Sequence, residues 1–382
     1  MRRSVLTRLI LFLAASAAAL IYLTPTFVKD PAKNLPSWWS SFLPSDRIHL
    51  GLDLQGGSHL VLEVKVDKAI ENNVERARGD LTNLLRERGI SGVSVERQGT
   101  QIQLKVPAAN VERVRGVLKG DFPNLAVAST QTSGGTTDFF VTLSKEELKS
   151  LRDYAVDQSL ETIRNRIDQF GVSEPIIQRQ GQSNILIQLP GIQDPERAKE
   201  IIGKTALLEF KLVDDNANVE DAVKNGPPPG RQVLYGHAGR GEGAATAQVP
   251  YVLESRTLMT GEYITDARVR PSQQLAGPYV ELILNTTGAR LFEQVTAANV
   301  KRRLAIVLDN KVYSAPVIQE RIGGGRASIT GSFDIKEARD LSIILRAGAL
   351  PAPVGTAEER TVGPSLGQDS TNQGVISFIV GG

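Results

Sequence analysis

The chain has 382 residues, with 44 Lys and Arg against 42 Asp and Glu (net charge +2), 35 Gly, 19 Pro and no Cys. Near-neutrality argues against a nucleic-acid partner, whose phosphates call for a basic surface. The lack of cysteine excludes a disulfide framework, thiolate catalysis and Cys-ligated zinc, and the length allows two or three folding units.

Arg2, Arg3 and Arg8 precede or open an uncharged run over 9–28. At ~1.5 Å per residue such a run crosses a ~30 Å hydrocarbon core as a helix, with its positive flank in the cytoplasm and the body of the chain outside. Residues 1–28 are therefore read as a cytoplasmic tip and transmembrane anchor. A cleavable signal competes with that reading, because Ala17, Ala18 and Ala19 offer the small residues a signal peptidase accepts. A linker follows over 29–44, where Trp38 and Trp39 suit a membrane interface.

The stretch Gly51-Leu52-Asp53-Leu54-Gln55-Gly56-Gly57 breaks an alternating pattern that resumes at His59. It reads as one strand with a sharp bend, since paired glycines allow angles and approaches that a Cβ forbids. Two β-α-β-β-α-β patterns, the ferredoxin-like order, come next. The first reads strand 59–66, helix 67–88, strands 93–97 and 101–106, helix 109–119 and strand 124–130. The second reads strand 138–143, helix 145–170, strands 174–180 and 184–189, helix 194–203 and strand 205–213. Gly89 and Gly171 are 82 positions apart, and so are Arg97 and Arg179, each Arg followed by Gln-Gly. Ser144 and Glu147 have capping-box spacing at the start of the long second-copy helix, and Gly171 closes it.

At Asp214 the composition changes. The segment 214–249, with Gly226-Pro227-Pro228-Pro229-Gly230, lacks hydrophobic period and reads as loop. A smaller α+β unit follows: strand 279–284, helix 287–300 with Leu291, Val295 and Ala298 on one face, and strands 304–308 and 312–316 about an Asp309-Asn310 turn. Strand 327–330 and helix 335–347 complete it. The run from Gly374 to Gly382 turns apolar and reads as the start of a second membrane helix.

Few residues carry chemistry. No Lys-Ser or Lys-Thr follows Gly56-Gly57 or the Gly323-Gly324-Gly325 run, so both read as turns and not as phosphate cradles. His49, His59 and His237 are too scattered for a zinc triad, and Asp214, Asp215, Asn216 and Asn218 lack the sixth-position Gly and twelfth-position Glu of a calcium loop. There is no nucleophile elbow. An acylphosphatase-like enzyme would need an Arg in a phosphate loop after the first strand, where this chain has Asp67-Lys68. Arg164 and Asp168, at i and i+4, read as a surface ion pair worth ~0.3–0.5 kcal/mol.

Four stretches in order resemble the SecD protein-export family. They are the Gly51 to Gly57 motif, Thr162-Ile163-Arg164-Asn165-Arg166-Ile167-Asp168-Gln169-Phe170-Gly171-Val172, Leu345-Arg346-Ala347-Gly348-Ala349-Leu350-Pro351-Ala352-Pro353, and Val362-Gly363-Pro364-Ser365-Leu366-Gly367-Gln368-Asp369-Ser370. The signature positions are Gly51, Leu52, Asp53, Leu54, Gly56, Gly57, Arg164, Arg166, Asp168, Gly171, Arg346, Gly348, Pro351, Gly363 and Pro364. The resemblance favours a retained anchor in the cell (inner) membrane, with the bulk of the chain periplasmic or extracytoplasmic. It implies an α+β fold in which a base (45–213) of two ferredoxin-like repeats carries an inserted head (214–348), returns to the base over 349–370, and begins a second membrane helix at 371–382. Hinge candidates are then Val213, Asp214, Gly348 and Leu350, and the 258–348 unit is where a binding groove is sought. The implied partners are SecF, the SecYEG channel, with YajC a further candidate, and an unfolded preprotein as substrate, with no cofactor. The implied role is capture of emerging preprotein, driven in the full complex by the proton-motive force. The rival reading is the extracytoplasmic domain of another resistance-nodulation-division transporter of solutes or lipids.

Overall fold

A computed structural model describes residues 2–27, 52, 56–172, 174–237, 248–271, 277–331 and 333–362, with a few positions between 373 and 380. Among these lie Gly56, Gly57 and Leu52 of the glycine motif; Gly51, Asp53, Leu54, Gly363, Pro364, Trp38 and Trp39 fall outside the described residues. So does most of the expected second membrane helix.

In chain order the elements are α1 (Arg2–Phe27), β1 (Gly57–Val64), α2 (Val66–Glu87), β2 (Ser94–Gln98), β3 (Gln101–Pro107), α3 (Val111–Asp121), β4 (Leu125–Ser133) and β5 (Thr136–Leu143). Next come α4 (Lys145–Phe170), β6 (Ile176–Gln180), β7 (Asn184–Pro190), α5 (Pro195–Gly203), β8 (Leu208–Leu212), α6 (Val219–Asn225), β9 (Arg231–His237) and β10 (Gln248–Glu254). The rest are β11 (Met259–Thr260), β12 (Ile264–Arg270), β13 (Tyr279–Leu284), α7 (Thr286–Ala298), β14 (Leu304–Leu308), β15 (Lys311–Ser314), β16 (Arg326–Ile329), α8 (Ile335–Ala347) and β17 (Val354–Val362). By contact density the chain divides into one unit of residues 1–58, 189–192 and 361–382 and another of 59–188 and 193–360.

Local sequence accounts for many of these boundaries. The Ser144 hydroxyl accepts from the Glu147 N–H at 3.2 Å to start α4, and Gly171, left-handed at φ 84°, ends it. Asp334 and Glu337 form a reciprocal capping box on α8. Asp309 and Asn310 both take positive φ (50° and 62°), the geometry of a two-residue hairpin between β14 and β15.

Four sheets result. Two are four-stranded, in orders β17-β1-β7-β6 and β2-β3-β5-β4. A six-stranded sheet runs β10-β9-β15-β14-β8-β11, and a three-stranded one β12-β13-β16. All five residues of β14 are buried, as befits an inner strand covered on both faces. Leu304, Ile306 and Leu308 pack into a core with α7, α8, β13 and β16, while Ala305 and Val307 join a second cluster with Val213, Leu253 and Val312.

The sheet orders correct the expected pairing. The β-α-β-β-α-β pattern suggests β1 beside β3 and β5 beside β7. Instead β5 pairs antiparallel with β3, and β1 neighbours β7. The Val64 N–H donates to Ser183 O, and the Gly191 N–H to Gly56 O at the far end, so β1 and β7 run antiparallel. Strand periodicity specifies an edge but not which copy's first strand fills it, and both copies offer similar edges. β8, expected as the last strand of the second copy, lies between β14 and β11, and β17 takes the vacated place beside β1. The apolar face of β8, Leu208, Phe210 and Leu212, is buried, and its other face is closed by a Lys211–Glu209 pair at 3.1 Å. A strand shielded on both faces belongs inside a sheet.

Other expectations shift as well. The 214–249 segment contains α6, β9 and the start of β10, whose short, Gly- and Pro-flanked stretches gave no clear period. On α7 the fully buried positions are Gly288, Phe292 and Thr296, one step round the helix from the expected stripe, and Ala298 is exposed.

The 82-residue offset has a three-dimensional counterpart. Arg97 on β2 pairs with Glu75 (3.1 Å) and Glu71 (3.9 Å) of α2 and donates to Gly99 O. Arg179 on β6 pairs with Asp153 (2.8 Å) and Asp157 (3.2 Å) of α4 and donates to Gln182 O. Both carboxylate pairs are one helical turn apart, so one guanidinium spans both.

Candidate functional site: a buried arginine between two chain crossings

The centre of the site is Arg166. Residues Ala155, Ser159, Thr162 and Arg166 recur at helical spacing on the buried face of α4, beside Val156, Ile163 and Ile167. Its side chain is 0% exposed. Nη1 donates to the carbonyls of Ile201 and Ile202, each at 2.9 Å, and to Lys204 O. Nη2 donates to Gly348 O at 2.9 Å. The last carbonyls of a helix have no partner within it and carry the negative end of its dipole, so a cation at the end of α5 is well placed. Burial pushes the Arg166 pKa down to about 10, opposed by the charge of Asp309, so the group stays protonated at neutral pH.

Asp309 completes the arrangement. Its carboxylate accepts from the Ala206 N–H (3.0 Å) and the Leu207 N–H (2.9 Å), and its own N–H donates to Leu207 O at 3.1 Å. Ala206 is left-handed at φ 61°, a costly conformation for a residue with a Cβ, held here by that carboxylate. The Leu350 N–H donates to Thr205 O at 2.8 Å. The outgoing segment 204–207, which leads into β8, and the returning segment 348–350, which leads to β17, are thus bonded to each other and to one guanidinium.

Gly348 has φ 91° and ψ 172°, a region that only glycine visits readily. Gly57, at φ 133°, presents a different demand: a Cβ there would lie 2.2 Å from Leu189 O. Gly56 stands at φ 72°, its N–H donating to Leu52 O at 2.8 Å. The glycine pair serves a close backbone approach.

The remaining sequence candidates separate from this site. Arg164 pairs with Glu161, one turn earlier, at 3.3 Å, and not with Asp168 as its spacing suggests. A rotamer reaching back along the helix serves an i−3 carboxylate as readily as an i+4 one. Arg346 pairs with Asp266 (2.8 Å) and donates to Ala267 O, fastening α8 to β12. Val213 is buried and bridged to Leu253, with its N–H on Arg303 O, and the Asp214 N–H donates to Val252 O. Val213 and Asp214, two of the expected hinge residues, are thus both bonded into the six-stranded sheet. Asp214 is also occupied by Arg231 (2.7 Å) and Asp215 by Arg303 (3.2 Å). A cleft of about 460 Å³ along α5 and α8 is lined by Asp194, Glu196, Arg197, Lys199, Glu200, Lys336 and Asp340, all charged, with Arg197 and Asp340 joined at 2.6 Å. Sequence reasoning missed Asp309 as anything but a turn residue and missed the burial of Arg166. An arginine on the apolar stripe of α4 was the available signal.

Comparison with known proteins bears on what this arrangement belongs to. The family description "SecDF, P1 head subdomain" matches residues 233–352, "Protein translocase subunit SecDF, P1 domain, N-terminal" matches 156–215, and "SecD/SecF GG Motif" matches 41–68. Protein translocase subunit SecD of Syntrophobacter fumaroxidans is 50% identical over 98% of this chain and 70% of its own length. The chain belongs to the SecD family of protein translocase subunits.

The SecD of Calditerrivibrio nitroreducens is 46% identical over 88% of this chain and 65% of its own length. A crystal structure of SecDF in a super-membrane-facing form aligns with 99% of this chain and 38% of that one, at 28% identity and a TM-score of 0.50. The SecD family consists of membrane export components and not of enzymes, and the solute- or lipid-transporter reading is not favoured. Among the described residues no helix is long and apolar enough to cross a membrane.

Proposed function

We propose that this chain is the extracytoplasmic part of a Sec translocase that captures emerging preprotein and releases it away from the channel. The observation that carries the reading is the Arg166 node, where both crossings between two packed regions meet on one buried cation. A junction bonded at two closely apposed crossings suits a hinge about one axis. The moving head would comprise β8 to α8, starting near Leu208 and not at Asp214, with the base formed by the two four-stranded sheets. The recurrence of the Arg97 and Arg179 constellations supports two repeats in that base, with exchanged first strands. Hinge residues are then 204–207 and 348–350.

The uncharged run over 9–28, which extends beyond the described residues, is the expected anchor, with Arg2, Arg3 and Arg8 on the cytoplasmic side; exposed Leu9, Ile10, Leu11, Phe12 and Leu13 support a lipid-facing surface. SecF and SecYEG are the expected partners, with YajC as a further one, and the proton-motive force the energy source for resetting the hinge.

The test is co-purification of the full-length protein with SecF and SecYEG, combined with photo-crosslinking of an arrested secretory precursor to positions across the head and base. Crosslinks and co-purification are expected. Their joint absence in export-competent membranes would overturn the reading.

A further inference from the structure

Edge strands are normally protected by charge, proline, brevity or a bulge, because their unpaired N–H and C=O groups invite another strand. β4 is the outer strand of its sheet and is nine residues long. No charged residue occurs between Asp121 and Asp138. The other described edge strands carry charge within them, as with Arg179 on β6, Glu96 and Arg97 on β2, Glu358 and Glu359 on β17, and Asp266 on β12, or are only two residues long, as β11 is.

The direction of the free groups follows from the hairpin. Gly134 and Gly135, at φ 57° and 85°, form a two-residue turn, which makes Ser133 and Thr136 a mutually hydrogen-bonded pair. Bonded and non-bonded pairs alternate in an antiparallel ladder. Gln131 and Ser129 therefore face β5, and Thr130 and Thr132 point their backbone N–H and C=O outward. The bulge at Ala128 leaves 129–133 as the regular stretch of this edge. All positions of β4 after Leu125 are exposed, on both faces of the strand.

We infer that the 129–133 edge of β4 is a docking strand for an extended segment of the unfolded polypeptide, held through its backbone. This rests on the export reading above and assigns its grip to a place outside the head. The surface chooses this occupant in two ways. Both faces of the strand are exposed along its length, so recognition runs through the ladder and tolerates passing sequences. It also lacks the charge that would repel either sign of segment. Binding of this kind is weak and reversible, as a passing chain requires.

The experiment places a photo-crosslinking residue at Thr130 or Thr132, and at a control position on α6 in the head, in the full-length protein within membranes translocating an arrested precursor. Thr132→Pro removes one outward N–H and leaves the β4–β5 bonds of Gln131 and Ser133 intact. Ser129→Lys with Gln131→Lys adds charge at exposed positions of the edge strand, and serves if the proline variant does not fold. We expect precursor crosslinks at both threonines, reduced at least five-fold at both by the lysine variant and at Thr130 by the proline variant, while the melting temperature is unchanged. Precursor crosslinks at α6 but none at β4 would overturn the docking strand and leave the export reading standing. Crosslinks from β4 to a second copy of this chain would also overturn it, by making the edge a dimer interface. Loss of every precursor crosslink together with loss of SecF and SecYEG would instead remove the reading beneath it.

Discussion

Arg166 Nη2 donates to Gly348 O at 2.9 Å, 182 positions further along the chain. The same guanidinium holds the end of α5, so one side chain closes the loop that contains β8 through α8.

Removing that cation leaves several buried carbonyls without a donor. Arg166→Met should lower stability by roughly 3 kcal/mol or more, the range for buried polar groups left unpaired. Arg166→Lys keeps the charge but cannot reach both crossings from a single point, so its cost should be intermediate. Urea unfolding of the two variants decides this. Equal stability of the methionine variant and the parent would mean that water replaces the arginine and the junction is open.

Asp309→Ala strips the acceptor from two backbone N–H groups beside the strained Ala206 and should cost about 1–3 kcal/mol. Asp309→Asn keeps one acceptor and tolerates the left-handed turn, so it should cost less. Hydrogen exchange at Ala206 and Leu207 is the local readout, with faster exchange expected in the alanine variant.

Two glycines should differ in kind. Gly57→Ala meets Leu189 O at 2.2 Å and also needs φ near 133°, so neighbouring backbone must move. Gly348→Ala has open space around its Cβ and suffers only the backbone penalty, about 1–3 kcal/mol. Thermal melts should therefore rank Gly57→Ala as the more damaging. The reverse order would mean that the β1–β7 approach relaxes freely.

Acid should separate the Arg179 pair from the core. The guanidinium hydrogen bond from Arg179 holds the Asp153 carboxyl below its ordinary range. A depressed carboxylate stabilises the fold above its unfolded pKa of about 4, and that contribution is lost as pH falls through the lower folded value. Stability curves of the parent and Arg179→Met should thus differ at neutral pH and converge in strong acid. A gap that persists at the acid end would assign Arg179 to packing.

The sequence by itself determined the elements that depend on neighbours along the chain. Ser144 and Gly171 bound α4, the Asp309-Asn310 turn joins β14 to β15, and α8 runs over the expected residues, because caps, turns and helical period act within a few positions. The glycine motif and the arginine-rich stretch of α4 also carried the family. What only the tertiary structure decided were choices between distant partners of equal local merit. Strand period cannot tell β3 from β7 as the neighbour of β1, since a further length of loop changes the closure entropy by only a few tenths of a kcal/mol to about 1 kcal/mol. Spacing offers Arg164 to Asp168 but cannot say whether Arg166 faces solvent or meets Gly348 far along the chain. That choice follows from which face of α4 is buried and from the unpaired carbonyls that burial brings within reach.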